Sequence, residues 1–228
     1  MKFDVLTIFP DILESYINKG MLRIAQEKKI IRIKTHNLRD FSVDKRGTVD
    51  DRPFGGGPGQ VLMVEPVYKA LKKIKSKIKS PKSKVKVVLL SAKGKTWNQD
   101  LAKKFAKLDQ VIFICPRYEG HDERIRKFVN EEIAIGNYVL TGGELGAMVI
   151  IDSVTRLLPG VLGEPDSLKE ESHSLPGYLE YPQYSRPEIF EFKDTNKKTK
   201  KLKVPAVLLS GHHKNIDDWR KKNAIQKD

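Results

Sequence analysis

Three stretches of this sequence each place a glycine turn and polar or aromatic side chains directly after an apolar run. They are Leu90-Ser91-Ala92-Lys93-Gly94, Pro116-Arg117-Tyr118-Glu119-Gly120 and Ile135-Gly136-Asn137-Tyr138-Val139-Leu140-Thr141-Gly142-Gly143. In an open α/β sheet, ligands bind outside the carboxyl ends of the strands. Loops that meet there can hold a flat, polar ligand through backbone groups. Tyr118 and Tyr138 suit core packing as well as ligand contact, and glycines 136, 142 and 143 also serve as plain turns. A fourth stretch puts four glycines and two prolines in the seven residues from Pro53 to Gly59, which specifies an irregular loop. It lacks the Lys-Ser/Thr of a P-loop, and Gly94 and Gly120 are not spaced as a dinucleotide fingerprint. Nucleoside triphosphate and NAD sites are therefore disfavoured.

The elements that would carry these turns alternate between strand and helix. Phe3 to Phe9 reads as a strand stopped by Pro10, with Asp11 placed to cap one helix running to about Glu27. Residues 30–33 read as a second strand. Helices are expected over 65–80, 97–107, 121–130 and 144–158. Residues 85–90 and 111–115 are nearly continuous apolar runs, as in strands buried on both faces, and 133–140 is strand-like. This alternation predicts an α/β domain with a mostly parallel sheet over residues 1–160. Residues 161–180 are aperiodic and read as a linker or lid. The basic segment 181–228 is too short for an independent core and is expected to lean on something else.

The 228 residues carry 43 Lys plus Arg against 29 Asp plus Glu, a net charge of +14. That balance points to a polyanion, with nucleic acid ahead of a membrane surface. A lysine-rich proteome would also raise the 32 lysines over the 11 arginines, but it would not remove acids. Nine lysines and no acid lie between Lys69 and Lys86. Further clusters lie at Lys197, Lys198, Lys200, Lys201 and Lys203, and at Arg220, Lys221 and Lys222. Separated clusters suit a long, bent polyanion such as folded RNA. The single Cys115, within an apolar run, excludes a disulfide framework and reads as a small buried hydrophobe. The first residues lack a secretory signal, and no run approaches the roughly 18 apolar residues of a membrane span, so a cytoplasmic protein is expected.

Several ordered motifs resemble one family across almost the whole chain. They are the 50–59 loop; Arg117-Tyr118-Glu119-Gly120 followed by Asp122-Glu123-Arg124; 135–145; 151–163, Ile-Asp-Ser-Val-Thr-Arg-Leu-Leu-Pro-Gly-Val-Leu-Gly; Tyr184-Ser185-Arg186-Pro187; and Pro205-Ala206-Val207-Leu208-Leu209-Ser210-Gly211. The sequence is identified as resembling the bacterial tRNA (guanine-N1)-methyltransferases, of the SPOUT trefoil-knot type. The resemblance implies a knot threaded through the three turns in the C-terminal half of the sheet domain, one of the rare exceptions to unknotted topology. It also implies a small, mainly helical C-terminal domain that binds tRNA. It implies S-adenosylmethionine held by Leu89, Leu90 and Ser91, by Pro116, Tyr118, Glu119 and Gly120, and by Ile135, Gly136, Tyr138, Leu140, Gly142 and Gly143. It further implies a homodimer with each active site shared between subunits, and an association with Mg²⁺ whose ligands no acid cluster identifies. At Ala92, Pro116 and Gly146 the chain departs from residues common in that family. The family usually continues with more helix beyond Trp219-Arg220. Either part of the RNA-gripping surface is missing, or the lysine runs replace it.

In such a reaction guanine N1 carries a proton, so a base must remove it while negative charge develops towards O6. That needs a carboxylate and a cation. By resemblance the cation is Arg156, which would otherwise read as a charge complementing a helix C-terminus. The base falls on Glu171, within Glu170-Glu171-Ser172-His173-Ser174, where the family carries Asp. Alone, Glu171 would read as a solvated loop acid. Either the loop is shaped for Glu, or activity is reduced, or the register is shifted and Glu170 acts; His173 is the other candidate base. Knotted methylation of another RNA and a non-catalytic RNA-binding role are the competing readings.

Overall fold

The structure, a computed structural model, describes residues 1–78, 80–163 and 171–226. The chain divides into two compact units, Met1–Gly163 and Glu164–Asp228.

The first unit is built on β1 (Lys2–Thr7), α1 (Asp11–Ile17), α2 (Gly20–Glu27), β2 (Arg32–Asn37), a small hairpin of β3 (Asp50–Asp51) and β4 (Val61–Leu62), α3 (Val64–Lys75), β5 (Val85–Thr96), α4 (Gln99–Phe105), β6 (Gln110–Ile114), β7 (Glu131–Ala134) and α5 (Glu144–Thr155). Its five-stranded sheet has the order β2-β1-β6-β5-β7, and every pairing is parallel. All five residues of β6, the central strand, are buried, which is why the four after Gln110 are apolar without alternation; the Gln110 amide is satisfied by donating to Asp4 Oδ2 at 2.7 Å. Strand alternation sorts the core into two layers. Phe3, Val5, Val88, Leu90, Val111 and Phe113 face α5 through Ala147, Ile150 and Val154. Leu6, Val87, Leu89, Ile112 and Ile114 face α3 through Val67, Ala70, Leu71 and Ile74.

Several expectations change. The helix expected from Asp11 to Glu27 is two helices. Lys19 is extended and Gly20 sits at φ +51°, a conformation glycine takes without a Cβ penalty. The break lets Leu13 and Ile17 of α1 and Leu22 and Ala25 of α2 enter the same core layer. Pro10 rather than Asp11 occupies the N-cap, and no side chain bonds the first turn. Residues 121–130 form only a short 3-10 segment, Glu123–Phe128, started by Asp122 accepting from Arg124 N at 2.9 Å.

The second unit holds β8 (Tyr178–Leu179), β9 (Ile189–Lys193), β10 (Thr199–Lys203), α6 (Ala206–Leu209), α7 (His213–Asn223) and β11 (Ile225–Gln226). β8 pairs with β11, and β9 with β10, both antiparallel. The β9–β10 hairpin adds to the expected helices; the consecutive Lys200 and Lys201 interrupt any apolar–polar alternation in β10. No described residue of this unit is fully buried, so it lacks a core of its own, as its length predicts.

Candidate functional site

The three turns meet at the carboxyl ends of β5, β6 and β7, where they enclose one cavity of about 360 Å³. Its lining includes Leu90 and Ser91; Pro116, Tyr118, Glu119 and Gly120; and Ile135, Gly136, Tyr138, Leu140, Gly142 and Gly143. Leu89 is left out: its side chain is fully buried in the opposite core layer, one position out of phase with Leu90.

Each turn is made differently. The first is not a loop. β5 runs on to Thr96 and pairs with Ile133 twice, from Leu90 and again from Lys95, so the intervening residues bulge out of the sheet. A Cβ on Gly94 would lie 2.4 Å from the backbone nitrogen of Ile133, and only glycine admits so close a strand. The second turn places Tyr118 at φ +62° and Gly120 at φ +122°. The third begins as β7 stops at Ala134, six residues before the end of the strand expected over 133–140. β7 stops there because the chain folds back at Gly136, where an added Cβ would meet the Tyr138 ring at 2.2 Å.

A buried charge network ties these turns to the sheet. Glu144, the first residue of α5, is only 1 % exposed. Its Oε1 accepts from Thr7 Oγ1 at 2.6 Å and its Oε2 from Arg117 Nε at 3.0 Å. The Arg117 guanidinium lies 5.0 Å from the Phe9 ring centroid. A Cβ on Gly142 would lie 2.2 Å from Arg117 Nε, and one on Gly143 would lie 2.7 Å from Cys115 Cα. Glycine at both positions lets the third turn close over the second, where Gly143 N donates to Pro116 O at 3.0 Å. Sequence reasoning missed this network, since nothing local pairs residues 27 positions apart. Burial pushes the Cys115 thiol well above its ordinary range, so it is no nucleophile. His121 also lines the cavity, and burial lowers its pKa below the ordinary 6.5. Its Nε2 is buried without a hydrogen-bond partner among the described residues.

A second cavity, about 650 Å³, adjoins the first and shares Tyr118 and Glu119 with it. The glycine-rich loop forms its other wall through Arg52, Pro53, Gly56 and Gly57. Backbone bonds join the loop to the second turn: Glu119 N donates to Gln60 O and Leu62 N to Gly120 O, both at 3.0 Å. Burial and a hydrogen bond with Asp50 raise the pKa of Tyr118.

The two residues expected to do chemistry lie in different units. Arg156 is the C-cap of α5 in the first unit and is half-buried. The helical rise places it about 15 Å along the axis from Gly146, the last α5 residue lining the cavity. Glu171 is half-buried in a tight turn of the second unit. Its carbonyl accepts from Ser174 N at 2.9 Å, and His173 N donates to Tyr178 O at 2.7 Å across the same turn. Glu170 and the rest of 164–170 lie outside the described residues. Among the described residues no group of three or more His, Cys, Asp or Glu gathers as a metal site, and no helix is long and apolar enough to cross a membrane.

The chain is similar to the crystal structure of the tRNA (m1G37) methyltransferase from Aquifex aeolicus, with a TM-score of 0.75 and 38% identity. That match covers 96% of this chain and 87% of the other. It is 48% identical over 227 residues to the tRNA (guanine-N(1)-)-methyltransferase of Dictyoglomus turgidum, covering all of this chain and 86% of that protein. It is 49% identical over 226 residues to the protein of the same name from Carboxydothermus hydrogenoformans, covering 99% of this chain and 83% of the relative. The family model described as tRNA (Guanine-1)-methyltransferase TrmD matches residues 1–228, and the chain therefore belongs to that family of methyltransferases.

Proposed function

We propose that the protein moves a methyl group from S-adenosylmethionine to N1 of guanosine 37, immediately 3′ of the anticodon in tRNA. The observation that carries this reading is the convergence of the three turns on one cavity in a chain that matches the family throughout.

The cavity fits the donor. Glycines 136, 142 and 143 let the turns that line it pack closely against Tyr138, Arg117 and Cys115, where any side chain would collide. Leu90, Pro116, Ile135 and Leu140 would cover a purine ring, and backbone groups of 135–140 would meet its polar edge. Glu119, which lines the cavity, would supply a negative charge towards the donor's cationic sulfur. When bound, the donor supplies an electrophilic methyl carbon on that sulfur, which leaves as a neutral thioether. The Glu171 carboxylate would take the N1 proton, freeing the nitrogen lone pair to form the new N–C bond. The planar guanidinium of Arg156 would hold the charge that develops on O6. The adjoining cavity under the glycine-rich loop offers space for the acceptor nucleotide. No three-ligand acid group gathers among the described residues, so no step is routed through Mg²⁺.

The reading includes a homodimer with shared sites. Arg156 is about 15 Å along α5 from Gly146, further than an arginine side chain reaches, which supports a second subunit supplying one of the two parts. α1 packs on α5, and Ile12 and Tyr16 of α1, Leu145 and Val149 of α5, and the nearby-in-sequence Phe9 and Met21 are exposed. Such exposed apolar side chains suit burial against a second copy of the chain. The reading also takes residues 1–160 as the catalytic domain, knotted at the three turns, 161–180 as the linker and 181–228 as the tRNA-binding part.

The test is methyl transfer from labelled S-adenosylmethionine to an unmodified tRNA transcript, followed by mapping of the modified nucleotide. N1-methylguanosine at position 37 is expected. Absence of transfer by a protein that binds the donor and is dimeric would leave a non-catalytic RNA-binding role.

A further inference from the structure

The β9–β10 hairpin presents an aromatic face that no described residue covers. All ten strand residues are exposed. The register sets Phe190 opposite Leu202 and Phe192 opposite Lys200, so these four share one face, while Glu191, Lys193, Lys201 and Lys203 point the other way. Phe190 is 54 % exposed, Phe192 37 % and Leu202 60 %. The two rings lie 5.9 Å apart at 16°. A lone two-stranded hairpin is at best marginally stable in water, and it would not retain two uncovered phenylalanines for its own folding.

The surrounding charge identifies the occupant. Residues 189–203 contain six lysines and two acids. Glu191 is paired with Lys201 at 2.5 Å, and Asp194 lies 4.0 Å from Lys200. Among the described residues no ion pair involves Lys193, Lys197, Lys198 or Lys203. The turn that carries Lys197 and Lys198 is held rigidly: Asp194 Oδ1 accepts from the backbone nitrogens of Asn196 and Lys198, each at 2.9 Å. A second copy of the hairpin would bring the same lysines, so self-association opposes like charges. Aromatic side chains interleaved with lysines match a single-stranded nucleic acid, whose bases stack on rings and whose phosphates meet cations.

We propose that Phe190 and Phe192 form a stacking platform for unpaired bases of RNA, with the hairpin lysines holding the adjacent phosphates. The proposal rests on tRNA being the substrate and adds a second contact, carried by the second unit. Stacking is worth roughly a five- to hundred-fold change in affinity per base, and each phosphate-bound lysine steepens the salt dependence by about one unit of slope.

The experiment uses the full chain, with substitutions on an exposed face where folding tolerates them. Fluorescence anisotropy measures binding of unmodified tRNA, a ten-residue oligouridylate and an RNA duplex of equal length. For F190S/F192S the expected result is at least ten-fold weaker binding of tRNA and oligouridylate, unchanged duplex binding, unchanged donor binding, and a raised KM for tRNA at unchanged kcat. F192W should retain affinity, and its indole fluorescence should be quenched by oligouridylate. Unchanged tRNA and oligouridylate affinity in F190S/F192S overturns the proposal, as does an equal loss on duplex. A changed oligomeric state with RNA affinity intact overturns it in favour of a second copy. If wild-type protein transfers no methyl yet F190S/F192S loses RNA affinity, the methyltransferase reading fails and the platform stands.

Discussion

Glu171 and Arg156 divide the proposed chemistry, and each makes a separable prediction. Glu171→Gln keeps the shape of the side chain and removes the base. Turnover should fall by about two to four orders of magnitude, while calorimetric affinity for S-adenosylmethionine stays unchanged; a fully active Gln variant removes Glu171 from the mechanism. Glu144 acts through position instead. Glu144→Ala leaves Thr7 and the Arg117 guanidinium without their buried partner. The cost should be about 2–3 kcal/mol in urea unfolding, below a fully buried pair because Arg117 keeps some solvent. Donor affinity should fall with it, since Arg117 belongs to the second turn. His121 contributes through its burial. Its folded pKa is lowered, so the unfolded chain binds the proton more readily. Its share of stability is complete above about pH 6.5 and is lost as pH falls towards the lowered folded value. Thermal unfolding should show that loss, and His121→Gln should flatten it.

At the scale of elements, the cavity depends on strands that approach unusually closely. β5 and β7 nearly touch at Gly94 and Ile133. Gly94→Ala must push one strand away from the other, at a cost of about 2 kcal/mol. It should also weaken donor binding, because the bulge that carries Ser91 and Lys93 moves with it; denaturant midpoints and donor titrations would measure both effects. Much of this layer could be read from sequence. The apolar run at 111–115 marks β6, whose residues after Gln110 are apolar because the strand is buried on both faces. The end of β7 and the bulge in β5 were not legible. The run Ile133 to Leu140 looks like strand, and only contact with Gly136 and Tyr138 shows where it must turn.

For the whole molecule, the proposed shared site predicts complementation. Gly143→Val should disrupt the cavity by forcing the third turn off the Cys115 backbone, and Arg156→Ala should remove the cation. Each homodimer should be inactive. Subunits mixed one to one after reversible dissociation should regain about a quarter of wild-type activity, because half the dimers then hold one intact site. No recovery would place cavity and Arg156 in the same subunit. Val149→Glu, at one of the exposed apolar positions of α5, should shift sedimentation towards monomer and abolish methyl transfer. The net charge of +14 predicts that tRNA affinity falls steeply with salt, whereas donor affinity barely changes.

The sequence by itself determined the family, the alternation of strands and helices, the three turns and the placing of positive charge in separate runs. These are local facts: side-chain periodicity, glycine positions and ordered motifs. Tertiary structure decided the rest. It broke one expected helix at Gly20 so that both pieces could fill a single core layer. It set Leu89 behind the sheet and Leu90 in the cavity, and joined Glu144 to Arg117 and Thr7. It also left Phe190 and Phe192 side by side on an uncovered hairpin. The shared core layer, the two faces of the sheet and the Glu144 network depend on which residues distant in the chain come within a few ångströms of one another, and no local pattern encodes such distances.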